Sequence, residues 1–319
     1  MARDVNNLSD DDAIDRAASE AFTEEFGDLA RNLPPVAIVI AAFNEEGAIG
    51  PVISAIPEIV AGLRTATIVV SDGAVDATAK EAGQAGALVC EVPVNRGQGA
   101  ALRLGYRLAR EGGAHYIVTT DADGQYDAAE IESLLAPILA DQADFVTGSR
   151  ALGSEETKDP VRKLGVRVFA VMISMLTGQR LTDTTFGLRA MRAEVTGAVR
   201  LEQPQYQASE LLIGVITHGY RVTELPATIH RRRVGKSKKG NNAFYALMFV
   251  RVVLGTWLRE RKRRVREDRR ESGSVADGAM ASGPVVGTAA PGKSVPGPER
   301  GGLPVSDAPA DDPRSAKST

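Results

Sequence analysis

The sequence predicts an α/β fold in which a mostly parallel, Rossmann-like sheet is covered by helices on both faces. Between residues 36 and 147, short apolar segments alternate with longer segments of helical periodicity. The apolar segments are nearly uninterrupted, as expected for parallel strands that are buried on both faces. Each of the first four apolar segments is followed by a polar loop. These three observations define the fold class.

The strands are assigned to apolar runs rich in β-branched residues, and the helices to the longer segments between them. Strands are expected at 36–42, 67–70, 87–92, 116–120 and 145–147, and helices at 46–62, 76–85, 99–110 and 127–140. After Arg150 the pattern changes to helices at 164–177, 211–217 and 243–258, with one strand at 221–225.

Composition divides the chain into four parts. Residues 1–35 form an acidic, partly disordered leader with a helix over 12–29, and residues 36–242 form the main domain. Residues 243–271 are expected to form an amphipathic C-terminal helix that is first apolar and then basic. From 272 to 319, Gly, Pro, Ser and Ala dominate without a periodic apolar face, so this tail is expected to be disordered.

Length, charge and cysteine content narrow the class of protein. With 319 residues and 43% apolar content, the chain can bury one large core or two small ones. A net charge of -3 excludes a globally basic nucleic-acid-binding protein. The single cysteine, Cys90, permits no internal disulfide and fits a reducing compartment. The acidic N-terminus lacks the basic and apolar regions of a signal peptide, so a cytoplasmic location is expected.

Two apolar segments raise the question of membrane contact. Neither reaches the ~18–20 uninterrupted apolar residues of a spanning helix, because Arg167 interrupts 164–177 and Arg251 interrupts 243–258. Buried amphipathic helices are the simpler interpretation of both segments. The second segment, however, runs directly into a basic cluster at 259–264, which suits an anionic membrane surface. Peripheral contact at the inner face of the cell membrane is therefore expected, and spanning is not.

The most informative segment is 115–127, in which a buried strand ends in Asp121-Ala122-Asp123-Gly124. Two carboxylates one residue apart can share one hard divalent cation, Mg²⁺ or Mn²⁺, and such an ion usually also binds substrate phosphates. Ligands bind at the carboxyl edge of an open α/β sheet. A solvated acidic turn is the alternative, but the position directly after a buried strand favours a metal site.

Four loops after successive parallel strands are expected to converge at this edge, at 43–45, 71–78, 95–99 and 121–123. Taken singly, each loop also fits a helix cap or a turn, and only their convergence favours a binding site. The segment 97–102 (GQGAAL) lacks the last glycine of a dinucleotide-binding motif and follows the third strand instead of the first. A nicotinamide-dependent dehydrogenase is therefore disfavoured.

Seven segments, in order, resemble motifs of family 2 glycosyltransferases of the dolichyl- or polyprenyl-phosphate mannosyltransferase type. They are 39–45 (VIAAFNE), 70–78 (VSDGAVDAT), 95–101 (NRGQGAA), 121–125 (DADGQ), 148–150 (GSR), 182–189 (TDTTFGLR) and 233–238 (RVGKSK). The resemblance spans 36–240 and implies that 36–242 is a catalytic domain with the A-type glycosyltransferase fold. That fold agrees with the one predicted from the strand and helix pattern.

The resemblance also implies the donor site. Phe43, Glu45 and Asp72 would bind the nucleoside, with Asp72 at the base edge. The metal ion and the donor diphosphate would be held by Asp121, Asp123 and Gln125. The remaining residues expected at the nucleotide site are Ala41, Gln98 and Ala122. Three positions depart from the family pattern. Ala41 replaces the usual proline, Ser71 replaces the first aspartate of the usual Asp-Asp pair, and Gln98 replaces a frequent lysine.

The acceptor phosphate is expected to meet basic residues in the second half of the chain. By resemblance these residues are Arg150, Arg162, Arg167, Arg233, Lys236, Ser237 and Lys238. Arginine is well suited to this role because its guanidinium group binds phosphate through two hydrogen bonds.

The predicted reaction is attack by an acceptor oxygen on the anomeric carbon of a nucleotide diphosphate sugar, with inversion of configuration as the family implies. The catalytic candidates are Asp123, Arg150 and Glu210. Asp123 would hold the cation that stabilises the leaving diphosphate. A sugar hydroxyl acceptor would need a general base, for which Glu210 is the candidate. A phosphate acceptor has a second pKa of about 6, so it is already mostly anionic and needs cationic positioning instead.

The leading hypothesis is a metal-dependent transferase that moves mannose from guanosine diphosphate mannose to a polyprenyl phosphate. Uridine diphosphate glucose is the next candidate donor. A family 2 enzyme with a soluble or glycan acceptor and an inactive nucleotide-sugar-binding scaffold are the alternatives.

Nucleic acid is not an expected partner, because the basic run at 231–239 has no interleaved aromatic residues. Three histidines make no credible zinc site, and the oligomeric state is left open.

Overall fold

One mixed sheet forms the centre of the fold. The structure, a computed structural model, describes residues 5–156, 160–199, 201–203, 206–232 and 248–265. The strands are β1 Val36–Ala42, β2 Ile59–Val60, β3 Leu63–Asp72, β4 Leu88–Val92, β5 Tyr116–Asp121, β6 Phe145–Glu155, β7 Arg189–Arg192 and β8 Val222–Ile229. The helices are α1 Val5–Phe26, α2 Asp28–Arg31, α3 Ile49–Ser54, α4 Thr78–Gln84, α5 Gln98–Glu111, α6 Glu130–Leu139, α7 Pro160–Thr177, α8 Ala193–Ala198 and α9 Gln207–Thr217, followed by α10 at 248–265.

The first half of the sheet is parallel. Strands β4, β3, β1 and β5 lie side by side in that order and run in the same direction. Strand β7 pairs antiparallel with both β5 and β6, and β8 runs parallel to β6. In this register Ala41 lies beside Val70 of β3 and beside Asp121 of β5. The carboxyl ends of β1, β3, β4 and β5 therefore meet at one edge, as predicted.

Helices cover both faces of the sheet, because alternate residues of each strand point in opposite directions. On one face, Val39 packs with α5, which lies so close that a Cβ atom at Gly105 would be 2.4 Å from Val39 Cγ1. On the other face, Ile38 packs in the same cluster as Leu134 of α6. Phe249 of α10 belongs to the first of these clusters. The predicted α/β fold with a C-terminal amphipathic helix is confirmed.

Several elements differ from the prediction, among them β6, which runs to Glu155 instead of 147, and α8, which was not predicted. The helix expected over 46–62 is wrong, because α3 ends at Ser54 and β2 pairs antiparallel with the start of β3. Pro57 disfavours a helical backbone at the residue before it. Ala61 and Gly62, with φ of 50° and 77°, then close a two-residue hairpin turn. Strand β7 is absent from the prediction, because its four residues begin and end with arginine.

The acidic leader contains a helix that packs on the main domain. Ala18 and Phe22 of α1 are buried, and Asp15 Oδ1 lies 2.6 Å from Arg96 Nη1. The helix begins earlier than the expected 12–29 and ends at Phe26. Since Arg96 lies between β4 and α5, α1 is joined to one of the four loops at the carboxyl edge.

Helix α10 has one buried and one exposed side. Val253 is fully buried, whereas Leu254 and Leu258 are exposed. Residues 243–247 and 266–271 of the predicted helix and the predicted disordered tail at 272–319 lie outside the described residues. In the part of the chain that the structure describes, no helix is both long and apolar enough to cross a membrane.

Candidate active site

The paired aspartates lie where β5 ends. The loop turns at Gly124, whose φ of 70° favours glycine. Asp121 Oδ1 accepts a hydrogen bond from Gln98 Nε2 at 2.9 Å, which connects β5 to the first residue of α5. Asp123 is 5% exposed, and its Oδ1 accepts the Gln125 amide at 3.1 Å. Ala122 between them is buried and packs on the sheet.

Arg232 contacts this acidic pair from the end of β8. Its Nη2 and Nε lie 2.6 Å and 3.1 Å from Asp123 Oδ2. Its Nη1 lies 3.7 Å from Glu45 Oε1, so one guanidinium group bridges the loops after β1 and β5. Arg232 was not among the predicted site residues. The basic run around it was a sequence signal, but the run alone does not indicate which arginine faces Asp123.

Gln125 connects the loop at 121–125 to the end of β8. Its carbonyl oxygen accepts the His230 amide at 2.8 Å, and its Nε2 donates to the His230 carbonyl at 3.0 Å. Glu156 accepts the Arg231 amide at 3.0 Å and lies 3.0 Å from His230 Nδ1. These contacts place Arg232 beside Asp123. The predicted role of Gln125 as a metal ligand stays a prediction.

The loops after β1 and β3 are joined to each other by reciprocal hydrogen bonds. The Glu45 amide donates to Thr78 Oγ1 at 2.8 Å, and Asn44 Oδ1 accepts the Val75 amide at 2.9 Å. Asp76 Oδ1 accepts the Thr78 amide at 3.0 Å, a side-chain contact within the turn that leads into α4. Phe43 lies half-buried at the start of this arrangement.

Asp72 is buried at the end of β3 and organises the loop before α5. Its Oδ2 accepts the amides of Arg96 and Gly97 at 2.9 Å and 2.7 Å. Burial raises the pKa of the Asp72 carboxyl, and these amide hydrogen bonds oppose that rise. The loop that Asp72 holds presents Gln98 to Asp121. Contact between Asp72 and a nucleoside base stays a prediction.

Arg150 forms a buried ion pair under the same edge. Its Nε lies 2.6 Å from Asp183 Oδ2, and its Nη2 donates to Thr185 Oγ1 at 3.2 Å. The guanidinium carbon lies 5.8 Å from the ring centroid of Phe186. Arg150 and Asp183 are both buried, so the charge of Arg150 is compensated inside the protein. Direct contact between Arg150 and an acceptor phosphate stays a prediction.

The segment held by Arg150 reaches the loop at 121–126. The Gly187 amide donates to the Tyr126 hydroxyl at 2.8 Å, and Thr119 Oγ1 donates to the Gly187 carbonyl at 2.9 Å. A Cβ atom on Gly187 would lie 2.8 Å from Asp121 Oδ2. The motif at 182–189 therefore supports Asp121 sterically, a role that sequence reasoning did not assign.

Glu210 lies inside the protein, on α9. Its carboxylate is 0% exposed and accepts the amides of Glu202 and Gln203, each at 3.0 Å. Arg259 Nη2 of α10 donates to the same carboxylate at 2.8 Å. Burial raises the pKa of Glu210. A general base must reach the acceptor hydroxyl, whereas these contacts turn the Glu210 carboxylate toward backbone amides and Arg259.

The other predicted acceptor residues are spread over two regions. Arg167 is exposed on α7, where it borders an apolar groove lined by Val168, Val171, Met172, Met175 and Leu176. The side chain of Arg162, and the four residues Arg233, Lys236, Ser237 and Lys238, lie outside the described residues.

Asp121 and Asp123 provide some, but not all, of the ligands that a hard divalent cation needs. Both residues supply carboxylate oxygens, the ligand type that Mg²⁺ and Mn²⁺ prefer. Among the described residues, no group of three or more His, Cys, Asp or Glu side chains is arranged to hold a metal ion. The two aspartates would therefore share a cation with the phosphates of a substrate, as Mg²⁺ sites often do.

The sheet and its covering helices form the A-type glycosyltransferase fold. Residues 37–199 match the model of glycosyl transferase family 2, and the chain belongs to this family. The predicted family and enzyme class are thereby confirmed.

Two curated relatives carry names of transferases that include a lipid phosphate. The chain is 34% identical over 203 residues to the dolichyl-phosphate hexose transferase of Haloferax volcanii, an alignment that covers 64% of the chain and 86% of the relative. It is 30% identical over 148 residues to the undecaprenyl-phosphate mannosyltransferase of Micrococcus luteus, covering 44% and 60%.

Solved structures share the fold. Glucosyl-3-phosphoglycerate synthase from Mycobacterium tuberculosis, in complex with Mn²⁺, uridine diphosphate and glucosyl-3-phosphoglycerate, superposes with a TM-score of 0.56 at 22% identity. The superposition covers 73% of this chain and 82% of that one. At this identity the likeness establishes the fold alone.

Proposed function

We propose that this glycosyltransferase moves a hexose, with mannose as the first candidate, from a nucleotide diphosphate sugar to a polyprenyl phosphate. Inversion of configuration and dependence on Mg²⁺ or Mn²⁺ are part of the proposal. The observation that carries it is the pair Asp121 and Asp123 at the junction of four loops. The named activities of the relatives that transfer sugars to dolichyl and undecaprenyl phosphate support the choice of acceptor.

Each part of the site has a task in this proposal. Asp121 and Asp123 hold the cation, and Phe43, Glu45 and Asp72 lie on the nucleoside side. When bound, the cation stabilises the negative charge that develops on the leaving diphosphate. The acceptor phosphate is already anionic at neutral pH, so the reaction needs no general base. The buried position of Glu210 is compatible with such a reaction.

An apolar stripe on α7 supports contact with the membrane that holds the acceptor. Leu164, Val168, Val171 and Met175 are exposed at helical spacing, with Leu164 64% and Met175 80% exposed. Phe169 of α7 stacks on Phe249 of α10 with ring centroids 3.7 Å apart, so the two helices are neighbours.

Exposed cations accompany this stripe. Lys163 and Arg167 lie on α7, and Arg251 and Arg261 lie on α10. An apolar stripe beside cations is typical of a surface that binds anionic lipid headgroups. We propose that α7 and α10 rest on the cytoplasmic face of the cell membrane.

Transfer of radiolabelled sugar into a solvent-extractable polyprenyl phosphate tests the function. Guanosine diphosphate mannose and uridine diphosphate glucose would be compared with Mn²⁺ present. Asp123→Asn should lower turnover by roughly 10²-fold or more, because stabilisation of the leaving group is lost. Asp127→Asn, an exposed acid of the same loop, serves as the matched control and should stay active. Full activity of Asp123→Asn, or label only in water-soluble products, would contradict the proposal.

Flotation with vesicles tests the membrane contact separately. Vesicles with 30% or so of anionic lipid should carry the wild-type protein upward, since each basic side chain near such a surface contributes about 1 kcal/mol. Val168→Asp with Met175→Asp should abolish flotation without changing turnover of a short, soluble prenyl phosphate. Equal flotation of this variant and wild type would reject α7 as the contact surface.

A further inference from the structure

Arg232 occupies the Asp123 oxygen that a cation would need. Asp123 Oδ1 already accepts the Gln125 amide at 3.1 Å, which leaves Oδ2 as the oxygen directed away from its own loop. Arg232 binds that oxygen through two nitrogen atoms, at 2.6 Å and 3.1 Å. On the far side of the guanidinium group, Glu45 Oε1 lies 3.7 Å away.

We propose that Arg232 is an exchangeable counter-ion of Asp123. The guanidinium group balances Asp123 when no divalent cation is bound, and it leaves Oδ2 when the cation binds. Its positive charge then becomes available to the phosphate groups of the donor or acceptor. This inference rests on the proposed function, because it requires the cation to bind at Asp123.

The burial of Asp123 explains why a counter-ion is needed. A carboxylate that is almost removed from water is costly unless a charged partner or hydrogen bonds compensate it. One amide at Oδ1 compensates Asp123 only in part. A charge-assisted, two-nitrogen contact from arginine supplies the rest.

Competition follows from the shared oxygen. A divalent ion and a guanidinium group cannot both bind Asp123 Oδ2 at close range, because their like charges repel at such distances. Any cation that enters must therefore displace Arg232, and the displacement weakens binding of the free metal ion. The competition is relieved when a phosphate-bearing ligand arrives, because the ligand offers Arg232 a new anionic partner.

The geometry around Arg232 allows such an exchange. The backbone is held just before it, at His230 by Gln125 and at Arg231 by Glu156. The side chain of Arg232 is long and 25% exposed, so it can leave Asp123 while its backbone stays in place. Residue 231 offers a control, because its side chain is exposed and Glu156 contacts its amide.

Binding of Mn²⁺ alone, measured by electron paramagnetic resonance of the free ion, tests the exchange without any turnover. Arg232→Gln should bind Mn²⁺ about tenfold more tightly than wild type, a coupling within the usual range between linked sites. Arg232→Lys keeps a positive charge, so its affinity for Mn²⁺ should lie between those of wild type and Arg232→Gln. Arg231→Gln should match wild type.

Binding of guanosine or uridine diphosphate with Mn²⁺ should change in the opposite direction. Arg232→Gln should bind the nucleotide several-fold more weakly, because one phosphate ligand is lost. A residue that only maintains the fold would not strengthen one ligand and weaken the other. Unchanged Mn²⁺ affinity in Arg232→Gln, with Asp123→Asn unable to bind Mn²⁺, overturns the exchange and leaves the proposed function intact. Wild-type Mn²⁺ affinity in Asp123→Asn overturns the proposed metal site itself.

Discussion

Arg259 Nη2 lies 2.8 Å from Glu210 Oε1 and thereby joins α10 to α9. The same carboxylate accepts the amides of Glu202 and Gln203, so it also holds the segment before α9. This segment packs on α5, where a Cβ atom at Gly99 would lie 1.9 Å from the Gln203 carbonyl oxygen. One buried carboxylate therefore connects the C-terminal helix to the start of α5, whose first residue contacts Asp121.

Removal of the Glu210 carboxylate should destabilise the fold. Glu210→Ala removes the buried acceptor of two backbone amides and one of the three carboxylates that contact Arg259. We expect the free energy of unfolding to fall by about 3 kcal/mol, as in other broken buried pairs. Urea titration of the wild type and the variant measures this difference.

Glu210→Gln separates the structural role from a role as general base. The amide keeps the shape and one oxygen acceptor, so most of the activity with a polyprenyl phosphate should remain. A general base replaced in this way would lose roughly 10²–10⁴-fold in rate. Loss of that size in a variant of unchanged stability would restore Glu210 as the base.

Arg150 and Asp183 should behave as one unit. Each single replacement by alanine leaves a buried charge without its partner and should cost about 3 kcal/mol or more. The double variant should cost clearly less than the sum, because neither member of the pair is then left facing the site of its missing partner. Unfolding titrations of the four proteins give the coupling energy.

The same variants test how Arg150 affects catalysis. Since Arg150 holds the segment that supports Asp121, donor use and acceptor use should fall together in Arg150→Ala. Asp183→Ala should reproduce that pattern. A selective loss of acceptor binding in Arg150→Ala alone would instead indicate direct contact with the acceptor phosphate.

The carboxyl edge of the sheet was predictable because it depends on local patterns. Buried parallel strands appear as continuous apolar runs, and Asp121 and Asp123 follow one of them directly. Strand β7 was not predictable in this way. Its four residues are held between β5 and β6 by partners far along the chain, such as Thr119 for Arg189.

The sequence does not predict which way single side chains such as Arg232 and Glu210 point. Three consecutive arginines, 231–233, look alike in sequence, and only the structure shows that Arg232 contacts Asp123. Glu210 stands in the first turn of α9, where an acid is common. Its inward direction depends on tertiary contacts with the segment before α9 and with Arg259, which no local pattern encodes.

Gly187→Ala should disturb Asp121 without adding or removing any charged group. The added Cβ atom would lie 2.8 Å from both Asp121 Oδ2 and the Tyr126 hydroxyl, closer than van der Waals contact permits. We expect Mn²⁺ affinity and turnover to fall roughly 10–100-fold, as when groups that orient metal ligands are altered. Titration with Mn²⁺ and initial rates measure both effects.

Gly83→Ala is the matched control for that substitution. Its Cβ atom would lie 3.9 Å from Val89 Cγ2, which is ordinary contact on the exposed side of α4. Activity should therefore be unchanged. Equal activity of the two variants would show that Gly187 does not support Asp121.

Asp144 should make stability depend on pH in the acid range. Hydrogen bonds from Arg221 hold its pKa at about 2, below the ordinary 3.8, with a further contribution from Arg192. Because the folded state binds this proton more weakly, the stabilisation is complete above pH 4–5 or so and is lost as the pH falls toward about 2. Arg221 is half-exposed, so solvent screening reduces the contribution to about 1 kcal/mol.

Comparison of the unfolding free energies of wild type and Asp144→Asn across pH tests the direction of this pH dependence. The difference in the free energy of unfolding should be about 1 kcal/mol at neutral pH and should shrink steadily below about pH 4, because protonation removes the same charge from the wild type. Asp141→Asn, which alters a far more exposed partner of Arg221, should show a smaller difference throughout. A difference that stays constant down to about pH 2.5 would mean that Asp144 stabilises the strand ends through its shape and not through its charge.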